Sequence, residues 1–412
     1  MKILTLSTYP IGTPAHGGQH RLSNIVRSLR EAGHEVQAAG VLGSDQYAAE
    51  EYFCEYPGHA QMGRYIRNPL LMEDWAIGKL YADDDDAYRQ LAAHIDPAPD
   101  LIFVENPWLF DFAKRYVLEN RLTETKLFYG SENIEHRLRY EIALKYLSVE
   151  EAETARRLIL ETELVTLRNA DGVCAVSRDD LAWVQSHTSA KCVLAQNGVA
   201  RRVTTDEGIE QANRIIQHRK AAILCASAHP PNISGFYDMF AGGMGCFAPD
   251  ESLVLVGGIG PLIAADSRFA RTAGLSRSVI AAGVVSDACL QGLLTVAHAV
   301  ILPITHGGGT NLKTAEALWA GRHVVTTSVA LRGFESFRDA RGVNVADDSG
   351  AFLSSLRNVM AAAPLQLSRE EQSRRTSVLW DDTLTDLVAA IGDFDRSSNG
   401  ESASKRQLHA LK

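Results

Sequence analysis

The strongest constraint on this 412-residue chain is an alternation, run through twice, of short apolar runs with longer segments of helical periodicity. It begins at Lys2–Ser7, a β-branched and leucine run. A turn-rich loop over 8–18 follows, and then Leu22, Ile25, Val26 and Leu29 recur at i, i+3, i+4 and i+7 before Gly33 stops the helix. The segments 34–41, 101–104, 126–129, 172–176 and 192–195 read as further strands. Helical stretches separate them, one opening on the capping box Ser148-Val149-Glu150-Glu151. After Asn197-Gly198 and a polar stretch over 204–220 the pattern restarts, with strands read at 221–226, 252–256, 279–282, 299–302 and 323–327. Strands alternating with helices argue for βαβ units and a parallel sheet. The expected fold is therefore α/β, with two Rossmann-like, doubly wound parallel-sheet domains over 1–200 and 201–365. Leu384, Leu387, Val388 and Ile391 share one helical face and no strand follows them. The helices of 366–395 are accordingly expected to return to the first domain, and the Ser-rich 396–412 to be a disordered tail.

Composition removes several function classes. The 41 basic and 50 acidic residues leave a formal charge of −9, so no basic face for nucleic acid is expected. The six cysteines are scattered, with no C-x-x-C and no Cys/His cluster at zinc spacing. That pattern predicts reduced thiols, a cytoplasmic protein and no metal site. No run approaches the ~18 apolar residues of a membrane span. Lys114-Arg115 and the Arg64/Arg67 pair are too few to argue for lipid contact, so a peripheral seat at the inner face of the membrane stays open, as does the oligomeric state. The acid run Asp83–Asp86 sits before a helical pattern and reads as a helix-opening, solvated run, not a strand-end metal motif.

Two glycine loops carry the chemistry. The run over 299–302 leads into Ile304-Thr305-His306-Gly307-Gly308-Gly309-Thr310-Asn311-Leu312-Lys313, and a helix follows that Gly321 closes. Glycines there let backbone N–H groups approach an anion at the positive end of a helix. Lys313 falls in the first turn, where the dipole disfavours a cation, so the two positive elements together suit an anionic ligand. Glu316 lies inside the stripe formed by Leu312, Ala315 and Trp319, where a carboxylate needs a hydrogen-bonding partner such as a ribose. A solvated Lys/Glu pair on an ordinary helix fits the same spacing. The other loop, Pro14-Ala15-His16-Gly17-Gly18, follows the first strand at the phosphate-cradle position of a Rossmann-like unit. It is not G-x-G-x-x-G, and the second strand ends without an acid for a ribose, which disfavours a nicotinamide dehydrogenase.

Taken in order, these segments resemble the retaining nucleotide-sugar glycosyltransferases of the GT-B fold, the group called glycosyltransferase family four. The resemblance runs over nearly the whole chain. It takes in Gly17-Gly18, the segment 29–36, Ala170–Ser177, Asn197-Gly198-Val199, Gly283–Asp287, the Gly307–Glu316 signature and Gly321–Thr327. It implies two Rossmann-like domains with an interdomain cleft, a nucleoside diphosphate sugar as donor, and a glycan, lipid-linked sugar or small molecule as acceptor. No cofactor or metal is implied. By resemblance Glu316 is the second acid of an E-x7-E motif and binds the donor ribose. Gly308, Gly309, Thr310 and Asn311 meet the diphosphate and sugar, His306 or a backbone contact replaces the missing first acid on the donor side, and Lys313 matches the basic position of a G-G-G-T-x-x-K-x-x-E variant. Val284 and Val285 frame the nucleobase, and Gly17 and Gly18 lie beneath the diphosphate. Glu132 stands in a strand-end segment, Tyr129–Glu135, that often carries a His facing the sugar; with Lys313 and Glu316 it completes the expected catalytic set.

The pattern departs from the family in two further places. The first E-x7-E acid falls on Gly308, and the segment 227–235 after the first strand of the second domain has no Lys or Arg. The expected activity is glycosyl transfer with retention. The alternatives are a non-catalytic nucleotide-sugar-binding regulatory partner and a GT-B-fold nucleotide-sugar epimerase.

Overall fold

The structure is a computed structural model, and it describes residues 1–66, 71–201, 203–240, 243–268, 275–307 and 310–395. The chain forms two compact units, Met1–Gln196 together with the chain from Leu384, and Asn197–Thr383.

The first unit is built on a seven-stranded sheet of β1 (Lys2–Ser7), β2 (Glu35–Val41), β3 (Phe53–Cys54), β4 (Leu101–Glu105), β5 (Lys126–Ser131), β6 (Gly172–Ala175) and β7 (Lys191–Leu194). Its order is β3-β2-β1-β4-β5-β6-β7, with every pairing parallel. β1 and β4 are buried along nearly their whole length because helices cover both faces, which is why they read as unbroken apolar runs. The two-residue β3 is too short to leave a periodic signal and is missed by the sequence. Helix 149–169 opens as expected: Ser148 Oγ accepts from the Glu151 N–H at 3.3 Å, and Glu151 Oε2 accepts from the Ser148 N–H at 3.0 Å. Asp84 caps the helix Asp85–Ala92, accepting from the amides of Asp86 and Ala87 at 3.1 Å, so the acid run is the helix opener expected of it.

The second unit holds a six-stranded sheet of β8 (Lys220–Cys225), β9 (Glu251–Val256), β10 (Val279–Gly283), β11 (Ala299–Leu302), β12 (His323–Thr326) and β13 (Val343–Val345). Its order is β10-β9-β8-β11-β12-β13, again parallel throughout. Strand order reverses between β1 and β4 in one sheet and between β8 and β11 in the other. Ligands of doubly wound sheets settle outside the carboxyl ends of the strands at such a reversal. Both glycine loops stand there, after β1 and after β11.

The chain stays in the second unit through Thr383, past residue 366 where the sequence puts its return. Arg375, 2% exposed, donates to the carbonyls of Leu318 and Arg341 at 2.8 and 2.9 Å. Val378 and Leu379 pack with Val199, Leu331, Phe334 and Phe337. Backbone bonds between Val199 and Val378 and between Val199 and Trp380 hold this segment to the residues that open the unit. From Leu384 the chain is part of the first unit: the helix over 385–395 buries Leu387, Ala390 and Ile391, and Phe394 meets Phe128 edge-on at 6.3 Å.

Candidate functional site

In the second unit, β11 ends at Leu302 and the chain turns through Pro303–Gly307 toward the helix Leu312–Trp319. Gly308 and Gly309 lie outside the described residues. The described parts of the loop are held by their neighbours. Arg332 donates to the Gly307 carbonyl, Asn197 Nδ2 donates to the Thr310 carbonyl at 3.3 Å, and Asn311 caps the helix by accepting from the Lys313 N–H at 3.1 Å. Gly307 has φ of 138°, a conformation open to glycine and strained for other residues. Thr310 Oγ1 is buried with no hydrogen-bond partner among the described residues. A buried hydroxyl left unpaired is costly, and a ligand oxygen would satisfy it.

Lys313 is half-buried in the first turn of that helix. Its Nζ donates to Asn232 Oδ1 at 3.4 Å. Burial pushes the ammonium below the ordinary lysine value, against an upward pull from Cys225 and Glu316. Asn232 sits in the first turn of the helix Pro230–Met239, which begins just after β8. The position that lacks a cation in sequence is thus filled by an amide aimed at a lysine from the neighbouring loop. The Pro-Pro-Asn helix opening is the signal that could have found it.

His306 lies across from the same helix, with Nε2 3.3 Å from Ser234 Oγ and Nδ1 3.1 Å from Thr305 Oγ1, which itself donates to Asp238 Oδ2 at 3.0 Å. Glu316 is half-buried, as the stripe argument requires. It lines a cavity of about 190 Å³ with Val199, Thr204, Gln291, Leu294, Thr295, Trp319 and Ala320. Val284 is 84% exposed after the left-handed Gly283, whereas Val285 packs into the unit's core. Gly307 and the described residues Thr310–Glu316 therefore gather at one sheet reversal, with Val284 and Val285 just after the end of β10.

In the first unit, Gly17 and Gly18 open the helix Gly17–Glu31, capped by His16. A Cβ at Gly18 would come within 2.9 Å of the Tyr9 hydroxyl and 3.0 Å of Glu132 Oε2, so the glycine lets these two polar groups approach the helix end. Glu132 directly follows β5 and accepts from Asn106 Nδ2 at 3.3 Å. Burial raises its carboxyl above the usual range, with Arg21 pulling the other way. Asn106 follows β4 with a left-handed φ of 61°, which Asn tolerates better than most residues. Tyr9 Oη and Asn106 Oδ1 are buried without partners among the described residues. Sequence reasoning named Glu132 and missed Tyr9 and Asn106. Beneath them Arg21 Nε meets Glu105 Oε1 at 3.0 Å with both side chains fully buried, and burial raises Glu105 to about 7.

Among the described residues no group of three or more His, Cys, Asp or Glu is placed to hold a metal ion, and no helix is long and apolar enough to cross a membrane.

Comparison with known proteins places this geometry. Residues 238–362 match the family model described as glycosyl transferases group 1. No curated protein matches the sequence. Among solved structures, sucrose-phosphate synthase from Thermosynechococcus elongatus superposes with a TM-score of 0.66 at 15% identity, over 97% of this chain and 99% of that one. The α,α-trehalose 6-phosphate synthase of Burkholderia multivorans gives 0.61 at 14% identity, over 98% of each chain. A protein of Anabaena, crystallised with UDP and glucose, gives 0.56 at 14% identity over 98% of this chain and 100% of that one. At these identities the structures speak for the fold, and the family model speaks for the chemistry of the second unit. The chain is a glycosyltransferase of the GT-B fold that carries a group 1 glycosyltransferase domain over residues 238–362.

Proposed function

We propose that this glycosyltransferase takes its sugar from a nucleoside diphosphate sugar and delivers it, with retention and without a metal, to a hydroxyl of a glycan, a lipid-linked sugar or a small molecule. The bond between the anomeric carbon and the diphosphate oxygen breaks, the acceptor oxygen bonds to that carbon, and the acceptor proton is released. Charge develops on the departing diphosphate, and fixed donors aimed at it are usually the largest catalytic contribution. The observation that carries the reading is Lys313: a half-buried ammonium at the start of a helix, beside a glycine loop at the sheet reversal, whose described acceptor is a neutral amide. That arrangement leaves its charge for an anion. Glu316 anchors the ribose, and Val284 and Val285 border the base. Glu132, Asn106 and Tyr9 offer a carboxyl, an amide oxygen and a hydroxyl to the hydroxyls of a sugar. The Anabaena fold neighbour that holds UDP and glucose makes UDP the first nucleotide to try.

Thermal shift against UDP, GDP and ADP reads donor preference, because a ligand of the native state raises its stability. Lys313→Ala is expected to lower kcat by ~10²–10³, the usual loss for one preorganised donor. Glu316→Ala is expected chiefly to raise KM for the donor. Wild-type transfer rates with unchanged donor affinity in both variants would defeat the assignment. Binding without sugar transfer or release would favour the regulatory partner, and a changed sugar without acceptor would favour the epimerase.

A further inference from the structure

We infer that Asn232 is a positioning residue, which sets the ammonium of Lys313 for the donor diphosphate without neutralising it. The inference rests on the proposed role of Lys313. Asn232 is 7% exposed in the first turn of its helix, and its amide orientation is determined by its neighbours. Nδ2 donates to the Ser227 carbonyl at 3.0 Å and lies 3.3 Å from Ser227 Oγ. A carbonyl accepts only from the amide nitrogen, so Oδ1 is the atom left facing Lys313 Nζ, 3.4 Å away.

The chemistry of that partner matters. A lysine side chain left to itself gives up rotamer freedom when it is fixed at a ligand. A partner that fixes it beforehand removes part of that cost from binding. A carboxylate would fix it more strongly but would cancel its charge within hydrogen-bond distance. An amide oxygen holds one of the three ammonium protons and leaves two donors, and the full positive charge, for phosphate oxygens. The segment 227–235 has no Lys or Arg, so the strand end after β8 acts on the phosphate through the lysine of another loop. Lys313 comes from the β11 loop and Asn232 from the β8 loop, so this contact spans the reversal at which the ligand settles.

The test is a double-mutant cycle on the full chain, read by the Kd for UDP and by turnover of the UDP-sugar that proves to be the donor, with pH profiles. Lys313→Ala is expected to weaken UDP binding by about a hundredfold or to lower turnover by as much. Asn232→Ala is expected to weaken UDP binding by about tenfold, a typical size for coupled neighbours. The double variant is expected to match Lys313→Ala, because Asn232 acts only through the lysine. Asn232→Asp is expected to bind UDP more weakly than wild type and to move the alkaline limb of kcat/KM to higher pH, as a carboxylate holds the lysine proton. Additive losses in the double variant, or an Asn232→Ala with wild-type binding, would overturn the inference while leaving the role of Lys313 intact. If Lys313→Ala itself binds UDP and turns over as wild type does, the proposed function of the site fails first. Circular dichroism and melting of each variant separate these outcomes from misfolding, and Asn232→Ser, which keeps a polar group in the same helix turn, serves as the milder substitution.

Discussion

At the scale of single residues, two buried charges set the pH behaviour. The ammonium of Lys313 is depressed by burial, so on the alkaline side it loses its proton earlier than an ordinary lysine at ~10.4. The alkaline limb of kcat/KM, which reports the free enzyme, is expected below that value, and Lys313→Arg is expected to abolish it because a guanidinium stays charged. In the first unit Glu105 is raised by burial to about 7 in spite of Arg21. A carboxyl whose folded value lies above its unfolded value of ~4.3 holds its proton in the native state. Its contribution to stability is complete below the unfolded value and is lost as the pH rises through about 7. Arg21→Leu removes the countercharge and pushes Glu105 higher. Breaking a buried pair costs ~3–5 kcal/mol, and the loss is expected at pH 8 and to be smaller at pH 5.5, where the buried carboxyl keeps its proton in the folded wild type and the folded variant alike. Denaturant melts at the two pH values check it. Lys313 and Glu316 were legible as residues of interest because a charge in a helix's first turn and a carboxylate in an apolar stripe each break a local rule, whereas Glu132 was named through the family resemblance alone. Asn232, Asn106 and Tyr9 break none, and gain their meaning from what the folded chain brings beside them.

At the scale of elements, glycines decide how closely backbones approach. The helices Asp206–Ile216 and Asp287–Val296 cross with almost no side chain between them. A Cβ at Gly292 would stand 2.0 Å from the Gly208 carbonyl oxygen, and one at Gly208 2.2 Å from that of Ala288. Gly292→Ala gains ~1 kcal/mol of helix propensity but overpacks a backbone contact that cannot yield, a fault that costs ~1–3 kcal/mol. The expected outcome is a lower Tm for the second unit, by several degrees, measured by scanning calorimetry. A similar approach at Gly235, where a Cβ would sit 2.0 Å from the Pro303 carbonyl oxygen, seats the helix that carries Asn232 against the end of β11. Periodicity located the long helices and the buried strands, since their patterns are imposed by one apolar face or by burial on both. It missed β3 and the three-residue β13, which are too short to show a period and exist because a neighbouring strand offers them its edge.

At the scale of the whole molecule, the second unit is one continuous stretch, whereas the first needs a helix from the far end of the chain. Lys191 meets Asp393 at 2.6 Å, and Leu387 and Ile391 are fully buried. A chain ended after Thr383 is expected to lose protection against hydrogen exchange in β5 and β6, which face this helix through Phe128 and Gly172, while the second unit keeps its own. Equal loss in both units would contradict the division. The doubled βα alternation is a property of composition along the chain, because burial on both faces of a parallel sheet forces apolar runs and crossovers force helices between them. The sequence by itself therefore determined two doubly wound sheets and the glycine loops that follow their strands at the reversals. Only the tertiary structure decided that the chain leaves the second unit after Thr383 and not near 365, since that boundary depends on Val378 and Leu379 meeting Val199, Leu331 and Phe334. It alone also decided that an asparagine after β8 faces the lysine after β11. Contacts between residues far apart in sequence leave no period and no spacing to read, because side chains meet across a sheet reversal only once both strands are in place.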